Sequence, residues 1–217
     1  LFYMMQEFKM YRNHLYHKQN HKNILGMLDY YLTSASSGQF SSICFIYEEF
    51  TCTLRDIMED RYKSNQQFTV TEIAKIFSDV IRGLCTLHKL GIVHRNLRPE
   101  NIVFCAKKNS FMISDLSLAL VFNKEEAILS CFDLVGTPFY MPIDAFADLS
   151  IDGTRIKFSY DPFKGDVYAV GVMMLECLWI NLQVTDQAIP QIGKAFIQLN
   201  LSNLEDLIKL CEQKHKQ

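Results

Sequence analysis

Eight consecutive residues, His94-Arg95-Asn96-Leu97-Arg98-Pro99-Glu100-Asn101, crowd polar and charged side chains between two apolar stretches. Upstream, Phe68 to Leu90 carries apolar residues at Ile73, Ile76, Phe77, Val80, Ile81, Leu84 and Leu87. That is helical spacing with one wide apolar face. Thr69 or Thr71 can serve as its N-cap, and Gly91 as the residue just past its end. Downstream, Asn101–Phe104 reads as a short strand, Lys107-Lys108-Asn109 as a turn and Phe111–Ser114 as the partner strand. A polar loop fixed between a long buried helix and a hairpin can hold several side chains toward one point, which a free linker cannot do.

Further strings surround the octet in a fixed order. His21-Lys22-Asn23-Ile24-Leu25 comes first, then the apolar strand Cys44–Phe50 ending in acids, then a helix start at Leu54 to Met58. After the hairpin come Asp115-Leu116-Ser117, the run Gly136–Met141 (GTPFYM), Pro142-Ile143-Asp144, and Asp166–Val172 (DVYAVGV). Together these resemble the eukaryotic protein kinase superfamily. The octet is similar to the catalytic loop H-R-D-L-x-x-x-N, and Asp115-Leu116-Ser117 stands in the place of DFG. Pro142-Ile143-Asp144 stands where APE is expected, and Asp166 opens the string that resembles the start of the central C-lobe helix. The matches span roughly residues 7 to 212, and Thr137 with the cationic Arg98 points to the Ser/Thr branch.

The resemblance implies an α+β, protein-kinase-like fold over residues 1–217, mainly the helical C-lobe. Residues 1–47 would be a truncated N-lobe holding helix αC and the family's fourth and fifth strands. Residues 48–53 would be the hinge and 54–217 a C-lobe incomplete at its end. It implies ATP and Mg²⁺ as cofactors. Tyr47 (at the gatekeeper position), Glu48, Phe50 and Val103 would bind the nucleotide, and Asn101 and Asp115 would supply the hard oxygens that Mg²⁺ prefers. Asn96 and Arg98 occupy the catalytic positions. His94, Arg95, Leu116, Thr137, Asp144 and Asp166 would be structural, with Asp166 holding the loop backbone. Arg95 would gather a phosphate in active relatives. Ser130 is then a candidate phosphosite, and Glu125, Glu126 and Asp133 are alternative acidic partners.

Several positions depart from the family. The general base is an Asp in the family and Asn96 here. A carboxamide orients by hydrogen bonds but takes no proton, and losing a general base costs on the order of 10²- to 10⁴-fold. Arg98 replaces a Lys and keeps charge but not shape. Ser117 replaces a Gly and loses its access to positive φ. The 217 residues contain no G-x-G-x-x-G and no V-A-I-K, the parts that cover and grip phosphates in kinases. Counting back from His21 along a helix puts the αC glutamate position at Arg12, and Glu7 is a poor substitute. Either the N-lobe is reduced or the chain is part of a longer protein. The second reading is preferred, because it opens at Leu1 and missing strands would expose apolar surface.

These departures point to a Ser/Thr-kinase-like domain that is catalytically impaired, a pseudokinase. It would act in phosphorylation signalling by protein binding and allosteric scaffolding, with ATP–Mg²⁺ binding weakened or lost. The alternative is a weakly active ATP-dependent protein kinase acting on a protein substrate. A third reading, an unrelated helical binding protein, requires that His94, Asn101, Asp115 and Asp166 do not converge.

Composition agrees with one globular domain, at 49% hydrophobic residues and net charge −2. That charge gives no argument for nucleic acid, and no apolar run is long enough to span a bilayer. Seven Cys without a C-x-x-C suggest reduced thiols and a cytoplasmic setting. His14, His17 and His21 sit at helical spacing, but no carboxylate or Cys completes a metal set. Thr33–Ser42 and Ala147–Lys164 read as surface loops.

Overall fold

The computed structural model describes residues 2–15, 21–34, 40–122, 135–142, 145, 150–152, 155–157 and 160–185. Asp144, His17, Ser130, Glu125, Glu126 and Asp133 lie outside them. The described chain is α+β. A short helix α1 (Phe2–Met10) runs into a π-helical turn (Tyr11–Leu15) and is followed by an antiparallel pair, β1 (Met27–Ser34) and β2 (Phe40–Tyr47). Helices α2 (Leu54–Lys63), α3 (Val70–Lys89) and α4 (Pro162–Thr185) form the larger part. Between α3 and α4 lie β4 (Ile92–Val93), β5 (Ile102–Cys105), β6 (Ser110–Ile113) and β7 (Leu120–Val121). The two-residue strand β3 (Cys52–Thr53) joins β5 and β6 in one sheet of order β3-β5-β6.

Local chemistry fixes the helix starts. Thr53 and Thr69 each cap a helix and each forms a complete capping box, with Asp56 and Glu72 respectively. The apolar face of α3 (Ile73, Ile76, Phe77, Val80, Leu84, Leu87) is buried in the main core with Leu97, Ile102, Ile113 and Leu116. Gly91 follows its last turn at φ +73°, as its place in the sequence predicts. Ile81 is the exception, half-exposed at the edge of the face.

A second contact locks α3 to the sheet. The segment at Asn23–Leu25 runs parallel to β6, with Ile113 N donating to Asn23 O and Leu25 N to Ile113 O. Asn23 Nδ2 donates to Ser110 Oγ (2.8 Å) and Phe111 O (2.9 Å). The buried Asp79 of α3 accepts from Phe111 N and Ser110 Oγ, and pairs with Lys75 and Arg82. Its carboxyl is lowered despite burial, because Lys75 and the Phe111 N–H favour the charged form.

Two loop readings need correction. The polar stretch Thr33–Ser42 holds the end of β1 and the start of β2, with Thr33 opposite Ser42 and Ser34 opposite Phe40. Ladder hydrogen bonds are made by the main chain, so polar Ser and Thr at the ends of strands still pair. Ala147–Lys164 holds a hairpin, β8 (Ser150–Asp152) with β9 (Arg155–Lys157), and the first turn of α4. Among the described residues no helix is long and apolar enough to cross a membrane.

Gly83 tests this packing. A Cβ there would sit 2.4 Å from Asn23 O. Ala is the better helix former by about 1 kcal/mol, but the clash is with main chain that cannot swing away. Gly83→Ala is therefore expected to destabilise by about 1–3 kcal/mol, read as a lower urea midpoint at unchanged m-value. A rise in stability would show that the 23–25 segment is not held against α3.

Candidate functional site

The site begins where α3 ends. β4 pairs with β7 and buries Ile92 and Val93, so the chain enters the octet at a fixed height. The next two backbone N–H groups point to one carboxylate. His94 N donates to Asp166 Oδ2 (2.8 Å) and Arg95 N to Asp166 Oδ1 (2.8 Å). His88 Nε2, from the last turn of α3, lies 2.9 Å from the same Oδ2. Arg95 is thereby held at φ +65°, a region that costs a non-glycine residue on the order of 1–2 kcal/mol.

His94 ties this loop to the next one. Asn96 N donates to its Nδ1 (3.2 Å), so Nε2 carries the ring proton and donates to Ser114 O (2.9 Å). Ser114 N and Oγ in turn donate to Asn101 O (2.9 and 3.0 Å). The following residue, Asp115, is also left-handed at φ +61°. His94, Asn101, Asp115 and Asp166 thus meet through one hydrogen-bonded frame, which excludes the reading of accidental motifs.

Asn101 Nδ2 donates to Asn96 O (2.8 Å), which leaves its Oδ1 for other work. Asp115 Oδ1 accepts from the Ser117 hydroxyl (2.6 Å) and N–H (3.3 Å); among the described residues its Oδ2 takes no hydrogen bond. Both side chains therefore keep a hard oxygen, a donor set that fits Mg²⁺. Ser117 itself is not left-handed; its hydroxyl orients Asp115 instead.

Asn96 and Arg98, the two candidate catalytic positions, are engaged within the chain. Asn96 Oδ1 accepts from the Thr137 hydroxyl (3.1 Å). Arg98 donates from Nε to Glu100 Oε2 (2.7 Å) and from Nη1 to Thr137 Oγ1 (2.9 Å). Thr137 reaches this point because Gly136 lets the backbone pass close; a Cβ there would lie 2.5 Å from Arg95 O. Arg55 joins the network from α2, meeting Glu100 Oε1 (3.0 Å), the Tyr140 hydroxyl (2.8 Å) and Glu176 Oε1 (3.4 Å). Tyr140 donates to Glu176 Oε2 (2.7 Å). Arg95 Nε donates to Leu118 O (2.7 Å).

The candidate nucleotide residues are less uniform. Tyr47 packs over the small cluster of Leu25, Val103, Cys105 and Met112. Val103 is buried there, and Phe50 is exposed. The Glu48 carboxylate is taken by Lys108 (2.7 and 2.8 Å), and its N–H by Gly26 O.

The helical count that pointed to Arg12 is overturned. Arg12 is exposed and lies over the Phe8 ring. Glu7 is buried, and its Oε1 accepts from Leu116 N (3.3 Å) and the Tyr47 hydroxyl (2.7 Å). The count ran back from His21 at α spacing, and between His21 and Glu7 the chain includes a π-helical turn at Tyr11–Leu15 and is not one continuous α-helix. A signal was present in the sequence: Glu7, Met10 and Tyr11 fall at i, i+3 and i+4, and all three are buried. Arg55, Tyr140 and Glu176 were also missed, because only the fold brings them together.

Two measurements check this frame. Asp166→Asn leaves one N–H of the loop facing a donor and is expected to cost about 2–4 kcal/mol, lowering Tm by roughly 5–12 °C; an unchanged melt would contradict the anchor. Glu100 is lowered to about 2, first by its hydrogen bond from Arg98. Its folded pKa lies below its ordinary 4.5, so its contribution is complete above that value and is lost as pH falls toward about 2. Acid unfolding over this window is expected to be shallower in Glu100→Gln, and an unchanged acid profile would remove Glu100 as its source.

The protein kinase domain family matches residues 4–215. A brassinosteroid LRR receptor kinase of Oryza sativa subsp. japonica is 26% identical over 220 residues, covering 89% of this chain and 18% of that protein. Mitogen-activated protein kinase kinase 9 of Arabidopsis thaliana is 34% identical over 110 residues, 51% of this chain and 33% of the relative. A leaf rust 10 disease-resistance locus receptor-like protein kinase-like protein of Arabidopsis thaliana is 32% identical over 163 residues, 70% and 24% respectively. The chain therefore spans only a minor part of the length of each.

Proposed function

This chain belongs to the protein kinase family, and from that premise we propose that it is a catalytically impaired member of Ser/Thr type that works by binding a protein partner. The observation that carries the proposal is the state of the two catalytic positions. Asn96 cannot accept a proton, and its oxygen is occupied by Thr137. Arg98 is turned to Glu100 and Thr137, so its charge is spent inside the chain rather than held toward a phosphate. The frame around them is complete, which supports a domain kept for its shape.

The proposal keeps a role for ATP and Mg²⁺. Asn101 Oδ1 and Asp115 Oδ2 would hold the ion, with Ser117 fixing the carboxylate. When bound, the ion neutralises phosphate charge. A second reading, a slow protein kinase acting on a protein substrate, is favoured by this same retained pair, because phosphoryl transfer depends mainly on positioning and electrostatics.

Calorimetry of ATP with and without Mg²⁺, beside Asp115→Ala, tests the nucleotide part. Mg²⁺-dependent binding that Asp115→Ala abolishes is expected. Binding that survives that substitution would remove Asp115 from the site, and no binding at millimolar ATP would leave the domain a scaffold without nucleotide.

A further inference from the structure

Glu7 is a buried carboxylate that no described cation pairs with. Burial raises its carboxyl, and the nearby charge of Asp115 adds to the effect. Such a group needs strong donors to remain inside the fold. The shorter of its two bonds comes from the Tyr47 hydroxyl at 2.7 Å, and the longer from Leu116 N at 3.3 Å, both on the same oxygen. One residue earlier, Gln6 Nε2 donates to Ala119 O (3.0 Å). A single turn of α1 therefore grips β2 at one point and the segment after Asp115 at two.

The tyrosine is braced for this role. Its ring meets Tyr11 edge-on (5.8 Å between centroids) and Phe45 at a tilt (6.2 Å). Tyr11 is pinned by its own hydroxyl to Leu25 O (2.8 Å). The phenol of Tyr47 thus has little freedom, and the carboxylate oxygen it holds is the one that Leu116 N must find.

We propose that the Tyr47 hydroxyl is a latch that closes α1 onto the Leu116–Ala119 segment. It assembles the Asp115 side of the site by hydrogen bonding, through the one carboxylate oxygen that Tyr47 and Leu116 share. The latch goes beyond the function proposed above, since it requires neither nucleotide nor substrate.

Amide hydrogen exchange without added nucleotide tests it. Tyr47→Phe removes one oxygen and keeps the ring. It is expected to speed exchange in Phe2–Met10 and at Leu116–Ala119 by about tenfold, with α3 unchanged. The double variant Tyr47→Phe with Glu7→Gln is expected to exchange no faster than Tyr47→Phe alone, because one latch is opened in both. Unchanged exchange in α1, equal acceleration in α3, or a further multiplicative increase in the double variant would each overturn the latch.

Discussion

The carboxylate of Asp166 is the interaction on which the rest of the site depends. Burying a charge is costly unless donors surround it, and here the donors come from the end of α3 and from two successive residues of the loop. They fix the start of the loop to α4 and hold Arg95 in its left-handed conformation. Once His94 is so placed, its ring reaches Ser114 O and sets the height of Asp115. Each later bond uses the geometry established by the one before it.

Framework and chemistry have separated in this chain. Asp166, His94, Asn101 and Asp115 form a connected frame, whereas Asn96 and Arg98 are drawn into a relay with Thr137 and Glu100. A Lys at 98 would bring a single point charge, but Arg brings a planar fork that bridges two acceptors, and Glu100 and Thr137 are both within reach. The Asn at 96 is likewise engaged: its carboxamide oxygen, which takes no proton, accepts a neutral hydrogen bond from Thr137.

Much of this was legible in the sequence. The helical spacing from Ile73 to Leu87, the threonine caps and Gly91 state α3 directly, because periodicity and end chemistry are local. The order of short motifs placed His94, Asn101, Asp115 and Asp166 in one site. What failed were inferences that needed geometry: Glu7, not Arg12, is the residue of α1 that reaches Leu116, and stretches rich in Ser and Thr that looked like loops hold strand ends. The union of Arg55, Tyr140 and Glu176 joins three distant segments and has no local signature at all.

The central claim of the proposed function is that Asn96, beside the engaged Arg98, limits phosphoryl transfer in a loop that is otherwise held in place. Single-turnover transfer of labelled phosphate from Mg²⁺-ATP to a general protein substrate, in the parent protein and in Asn96→Asp, measures it. A parent rate near background and a gain of about 10²-fold or more in the variant is the predicted result. Equal rates in the two proteins would contradict it.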